Sequence, residues 1–235
     1  MSDVSSWRAF YESELQGLWA LLAAPALWLA WRALRGRPAA PGVYPPAAAF
    51  VDRWALVFAV QTLLDPLATG PLARSLGGAA PTALGLLFVL LGDFRALLLV
   101  TYLAGKRCAL GPALREAALL TPVVPVAAYG AQALLAAALG PLPGQALWLV
   151  HETLFLGMVA FVRRRIVDAR GGPPELQAYL RAVTAYVAVY YGLWALSDAS
   201  ILAGIEPAWG LRVVPNQLYY GLFVPFAYAR FFARR

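Results

Sequence analysis

Apolar residues dominate seven stretches of the chain, and polar residues, glycine and proline gather in the short segments between them. Each stretch contains about 20 residues, the length that a helix needs to cross a bilayer. The stretches cover residues 15–34, 54–72, 82–105, 117–139, 145–162, 182–204 and 213–232. The segments between them carry the proline and glycine residues that end helices. The pattern therefore predicts an all-α polytopic membrane protein, with a single seven-helix transmembrane domain covering residues 1–235.

The composition agrees with this class of protein. Hydrophobic residues make up 61% of the 235 residues and charged residues 13%, whereas soluble domains contain about 25% charged residues. The mean hydropathy is +0.65. Cys108 is the single cysteine of the chain, so intrachain disulfides and cysteine-based metal sites are excluded. We therefore expect a lipid bilayer around the chain.

The basic residues predict how the bundle is oriented. Fifteen of the 19 lysine and arginine residues lie in or beside the first, third and fifth loops, or after the last stretch. They are Arg32, Arg35, Arg37, Arg53, Lys106, Arg107, Arg115, Arg163, Arg164, Arg165, Arg170, Arg181, Arg230, Arg234 and Arg235. By the positive-inside rule the N-terminus lies outside and the C-terminus in the cytoplasm, as in a bacterial inner-membrane protein. Because no basic soluble module carries this charge, we do not expect nucleic-acid binding.

Two stretches carry charged residues near the middle of the membrane. Asp93 and Arg95 lie in the third stretch, and Asp65 lies at a similar depth in the second, directly before Pro66. A charged side chain at the bilayer centre costs roughly 2.5–3.5 kcal/mol, so it normally faces the bundle interior and has a function. We expect Arg95 to pair with an acid from another helix, and Asp65 is the first candidate.

Further polar residues fall in the outer half of the predicted bundle. They are Gln132, His151, Glu152, Asp198, Asn216 and Gln217. The inner half contains few polar groups, so the pattern predicts a cavity that opens toward the outer leaflet or the exterior. His151 is the only histidine, which rules out a multi-histidine metal site, and we predict neither a metal nor a cofactor.

Four acids, Asp65, Asp93, Glu152 and Asp198, accompany Arg95 in these stretches. If they share one pocket of low dielectric they cannot all be ionised, so protons or a cation must be bound there. A protonated acid beside an ionised one can divide the work of general acid and general base. Such a site could protonate a carbon–carbon double bond of a lipid, and it could equally relay protons in a transporter.

Residues 86–93 (LLFVLLGD) and 194–203 (WALSDASILA) resemble the two aspartate motifs of the lysoplasmalogenase (YhhN-type) membrane family. The resemblance implies a small multi-helix membrane enzyme that hydrolyses the vinyl ether of lysoplasmalogens. It also implies that Asp93 and Asp198 are the catalytic pair. The family is expected to have eight helices, one more than the pattern predicts here.

We therefore predict an integral membrane enzyme that acts on a lipid or isoprenoid-like substrate by acid–base catalysis. Asp93, Asp198 and Asp65 are the predicted catalytic residues. The predicted substrate-binding residues are Arg95, His151, Glu152, Asn216, Gln217 and Gln132. Two alternatives stay open: a small-solute or proton-coupled transporter that uses the same acids, and a non-catalytic receptor or scaffold.

Overall fold

The computed structural model describes residues 6–36, 45–105 and 108–233, and these ranges contain helices and no strands. We number the described helices in chain order. They are α1 (Ser6–Tyr11), α2 (Leu15–Trp19, a π-helical turn, and Ala20–Arg35), α3 (Pro45–Leu67, the π-helical turn Ala68–Leu72, and Ala73–Leu76), α4 (Ala80–Ala104), α5 (Leu110–Leu120 and Val123–Leu139), α6 (Gly144–Val162 and the π-helical turn Arg163–Asp168), α7 (Pro174–Leu202), α8 (Ala208–Leu211) and α9 (Val213–Asn216, the π-helical turn Gln217–Leu222, and Phe223–Phe232).

Of these described helices, α2 to α6 are long and apolar enough to cross a membrane. The chain is therefore an integral membrane protein, as its composition predicts. The sixth and seventh apolar stretches are helical as well and lie in α7 and α9. Helix α7 contains four tyrosines and Asp198, and α9 contains Asn216, Gln217, three tyrosines and Arg230, so both are more polar than α2 to α6.

Three helices begin well before the apolar pattern indicates. Helix α3 begins at Pro45 instead of residue 54, α5 at Leu110 instead of residue 117, and α7 at Pro174 instead of residue 182. Proline is favourable in the first turn of a helix, because its missing N–H would have no helical partner there. The backbone thus stays helical beyond the apolar segment, into the region where charged side chains such as Arg53 and Arg115 can meet water.

Helix α4 is the centre of the bundle. It packs against α3, α5, α7 and the last turns of α6. Every residue from Arg95 to Ala104 is buried. This half of α4 faces the end of the bundle where α2 ends and α3 begins, which we call the basic end because it carries most of the arginines. The basic half of the bundle is therefore filled by apolar packing around α4.

Helix α5 bends where Thr121 and Pro122 separate its two segments. Pro122 and Pro125 lack the backbone N–H that a continuous helix needs, so the bend follows from the sequence. The first segment packs mainly against α4, whereas Val123–Leu139 packs mainly against α6. A crevice consequently opens between α4 and the second segment of α5, on the side of the bundle.

Helices α4 and α9 approach each other closely at Gly92. A β-carbon added there would lie 1.3 Å from the hydroxyl oxygen of Tyr219 and 2.5 Å from its Cζ. Only a residue without a side chain lets the tyrosine ring lie against α4 at this point. This contact positions the π-helical turn of α9 beside the charged segment of α4.

Candidate functional site

Two cavities lie in the half of the bundle opposite the basic end, with volumes of about 300 and 360 Å³. They share one wall, which consists of Asp65, Thr69, Val89, Trp148, His151 and Tyr220. The first cavity extends toward α1, α2 and α9. The second follows the crevice between α4 and α5, where Leu86 and Tyr129 are exposed on the side of the bundle. The polar wall is therefore accessible from the position that lipid would occupy.

Asp93 lies directly behind His151. The Asp93 side chain is buried, and the Tyr191 hydroxyl donates a hydrogen bond to its Oδ1 atom. The other oxygen, Oδ2, has no hydrogen-bond donor among the described residues and lies 3.7 Å from Nε2 of His151. His151 faces both cavities. His151 therefore lies between the cavities and a buried carboxylate, at a distance longer than a hydrogen bond.

Glu152, the next residue of α6, faces the first cavity and lies against Asp198. Asp198 is fully buried and accepts a hydrogen bond from Nη1 of Arg212, and the two form an ion pair. Oε2 of Glu152 and Oδ2 of Asp198 are both buried with no donor in the described part of the chain. Two carboxyl groups in contact can bond to each other only if one of them carries a proton. Glu152 and Asp198 thus bring two carboxyl groups together beside the first cavity.

Asp65 lies in the wall common to both cavities. Its carboxyl group accepts hydrogen bonds from the hydroxyls of Tyr220 and Thr69, the latter at 3.4 Å. The Thr69 hydroxyl also bonds the Asp65 carbonyl at 2.8 Å, which anchors it at the π-helical turn of α3. Asp65 thus faces His151 and Glu152 from the opposite helix.

The expected ion pair between Arg95 and Asp65 does not form, which corrects the prediction from sequence. Nη1 of Arg95 donates to the Thr62 hydroxyl at 2.8 Å, and Nη2 donates to the Tyr219 carbonyl at 2.6 Å. The guanidinium also lies 4.1 Å from the centre of the Tyr219 ring. The π-helical turn of α9 exposes a carbonyl that an ordinary helix would use itself, and this carbonyl takes the place of the carboxylate.

Arg95 still lies near both Asp65 and Asp93, although it forms an ion pair with neither of them. Together with Arg212 it gives two guanidinium groups against four acids. The remaining negative charge has to be balanced by bound protons or by a bound cation. In the described chain, no three His, Cys, Asp or Glu side chains gather closely enough to hold a metal ion.

The predicted amide residues separate into two groups. Asn216 faces the first cavity, accepts a hydrogen bond from Trp194 Nε1 at 2.8 Å, and donates to the Tyr11 hydroxyl at 3.4 Å. Gln132 and Gln217 are half-buried and are not among the residues that line either cavity. The structure therefore brings Asn216 to the site and leaves the two glutamines outside its walls.

Sequence reasoning missed several residues of the site. Arg212 counts as a loop charge in the sequence, yet it is buried and binds Asp198. The other missed residues are aromatic and read as packing residues at helical spacing: Trp148, Tyr191, Trp194, Tyr219 and Tyr220. The one signal for Arg212 was its isolation, since few basic residues lie on that side of the bundle.

The fold and the site together define an integral membrane helix bundle with a polar, acid-lined cavity that opens on its side. The scan of protein families, the search of curated proteins and the search of solved structures each found no match to this chain. The site itself therefore carries the functional argument.

Proposed function

We propose that the chain is a membrane-embedded enzyme that acts on a lipid-like substrate by acid–base catalysis. The observation that carries this proposal is the crevice between α4 and α5, which leads from the side of the bundle to Asp65 and His151. An amphipathic molecule could enter sideways from the bilayer and place its polar group between titratable side chains. A water-soluble substrate would have no need of such a lateral opening.

In this proposal His151 and Glu152 are the groups that meet the substrate. Glu152 shares a proton with Asp198 and so can act as the acid, while neutral His151 can accept a proton from water. Asp93 and Asp198, the two motif aspartates, lie behind His151 and Glu152 and act through them. Asp93 orients His151, and Asp198 with Arg212 holds the Glu152 carboxyl.

The proposed reaction is the hydrolysis of a vinyl ether, as in lysoplasmalogens. The acid delivers a proton to the alkene carbon that is not bonded to oxygen, which leaves an oxocarbenium ion at the neighbouring carbon. Water adds to this neighbouring carbon, which is bonded to the ether oxygen, while the base takes a proton from the water. The resulting hemiacetal breaks into an aldehyde and an alcohol. The negative charges of Asp65 and Asp93 would stabilise the cation, and both the acid and the base are needed in each turnover.

The proposal is tested by aldehyde release from a lysoplasmalogen by purified protein in detergent micelles. Asp93→Asn, Asp198→Asn and Glu152→Gln should each lower turnover by about 10²–10⁴-fold, because an amide keeps the shape but cannot transfer a proton. Gln132→Leu, outside the cavities, serves as the control and should keep full activity. Each variant must elute as folded protein of unchanged size. Full activity of Asp93→Asn, or no aldehyde from the unaltered protein, would contradict the proposal.

The contact between the carboxyl groups of Glu152 and Asp198, which could share a proton, also favours a second candidate, a proton-coupled transporter. The two cavities give the site one approach from the side and another near α1 and α2. A transporter should carry substrate-dependent protons into vesicles that contain a pH-sensitive dye, and Glu152→Gln should abolish that signal. Absence of both activities would favour a receptor or scaffold.

We further propose seven crossings, with α7 and α9 as the sixth and seventh, the N-terminus outside and the C-terminus in the cytoplasm of a bacterium. The support is the separation of basic residues, which puts most of them at one end of the bundle. In this orientation the cavities lie in the outer half of the inner membrane.

A further inference from the structure

A further depression, which we call the basic-end groove, shares no lining residue with the two polar cavities. It runs between α3, α4 and the first segment of α5, with a volume of about 420 Å³. Its walls are almost entirely aromatic and aliphatic, with Phe50 stacked on Tyr102 at a ring distance of 3.6 Å. Val57, which is 61% exposed, stands on its open side. The groove thus offers an apolar channel to whatever lies beside the bundle.

Arg53 is the single charged residue among those that line this groove. It is exposed and forms no ion pair or side-chain hydrogen bond with any described residue. The nearby acids have other partners, since Asp52 binds Arg32 at 2.5 Å and Glu116 binds Arg170. Within the described residues, the positive charge at the edge of the groove is therefore available to a ligand.

We propose that the basic-end groove binds one anionic phospholipid of the leaflet at that end of the bundle. Its acyl chain would lie against Trp54, Phe58 and Phe94, and its phosphate would meet the guanidinium of Arg53. The charge complementarity selects this occupant, because a guanidinium forms strong charged hydrogen bonds with phosphate. A zwitterionic lipid would fit the walls but would bind Arg53 more weakly. An apolar helix would also fit the walls but would give Arg53 no charged partner.

The groove lies on the other side of the α4 segment that contains Asp93 and Arg95. The Trp54 indole lines the groove and donates a hydrogen bond to the Arg95 carbonyl at 3.0 Å. A lipid in the groove would therefore stabilise the folded bundle by binding only to it. The proposal is independent of the catalytic one, because it concerns a different surface and no reaction.

Native mass spectrometry of the detergent-solubilised protein tests this site with phosphatidylglycerol and phosphatidylcholine of equal chain length. The first phosphatidylglycerol molecule should bind with a Kd about fivefold lower than that of phosphatidylcholine. A difference of this size is the effect of one basic residue near an anionic lipid surface. Arg53→Gln should remove this preference. The matched control is Arg115→Gln, which removes an equally exposed charge outside the groove and should leave the preference intact.

A second variant tests the groove without changing any charge. Val57→Trp fills the open side, so it should lower the retention of both lipids while the protein stays folded. Equal affinity for the two lipids in the unaltered protein would overturn the proposal. So would an equal loss in Arg53→Gln and Arg115→Gln, which would indicate a diffuse surface effect. A dimer that Val57→Trp dissociates would instead assign the groove to a second copy of the chain.

Discussion

Arg95 shows how a buried guanidinium can be satisfied without a carboxylate in contact. Its two terminal nitrogens bind a threonine hydroxyl and the carbonyl of Tyr219, and its face lies over the Tyr219 ring. Nε remains without an acceptor in the described chain. The acids that balance its charge, Asp65 and Asp93, act without an ion-pair contact. Arg95 therefore holds α3, α4 and α9 together and keeps its charge behind the cavity.

We predict that Arg95→Leu lowers the yield of folded protein sharply, with a loss in the free energy of unfolding of about 1–3 kcal/mol for each buried group that loses its donor. The variant leaves the Tyr219 carbonyl and the Thr62 hydroxyl without their donor and leaves two acids without a balancing charge. The double variant Arg95→Leu with Asp65→Leu should recover little, because the carbonyl stays unsatisfied. Denaturation in detergent measures the free energy of unfolding of both variants. Arg115→Leu, which removes an exposed charge, is the control. Full recovery in the double variant would indicate a direct ion pair instead.

Among the helices, the contact of α4 with α9 decides the geometry of the site. Gly92 admits the Tyr219 ring, which lies between the Trp194 ring at 5.2 Å and the Tyr190 ring at 5.5 Å. The ring has no free direction in which to move, since the Arg95 guanidinium covers its face. The π-helical turn of α9 is therefore held in place by packing on one side and by hydrogen bonding on the other.

We predict that Gly92→Ala destabilises the protein by about 1–3 kcal/mol, the usual cost of an extra carbon in a packed core. The matched control is Gly85→Ala on the same helix, where an added β-carbon meets nothing within 4 Å. That variant should gain about 0.5–1 kcal/mol, since alanine favours a helix interior over glycine. Thermal unfolding of both variants measures the difference in stability. Gly92→Ala is also measured in a Tyr219→Phe background, which lacks the hydroxyl that the added β-carbon would meet. Equal melting temperatures for the two alanine variants would contradict the packing argument.

At the scale of the whole molecule, the bundle has an apolar half and a polar half. The basic half is filled around α4, and the other half contains the connected cavities. The bend in α5 opens the polar half toward the bilayer, while the arginines collect at the opposite end. The polar cavities and the arginine-rich loops therefore lie at opposite ends of the bundle.

From the position of the arginines we predict that a reporter fused after Gly36 is active in the cytoplasm. A reporter fused after Gly140 should be active in the periplasm. The physical reason is that loops rich in arginine and lysine are retained on the cytoplasmic side. Fluorescent-protein and alkaline-phosphatase fusions at both positions measure the location. The reverse pattern would invert the orientation and place the cavities in the inner half of the bilayer.

The sequence by itself determined the class of the protein, most of its helices and most of the acidic residues around the cavities. Lipid contains no hydrogen-bonding partners for a backbone, so long apolar stretches must be helices, and buried charges must turn inward. This reasoning led to Asp65, Asp93, His151, Glu152 and Asp198 without any structure.

Only the tertiary structure decided which of these groups meet. Arg95 binds a carbonyl instead of Asp65, because the π-helical turn of α9 presents one at the right place. Arg212 comes from a loop to bind Asp198, and Gln132 stays outside the cavity walls. Depth along a helix can be read from residue spacing, but the direction of each side chain depends on how the helices rotate against each other. That rotation follows from contacts such as Gly92 with Tyr219, which join residues far apart in the chain.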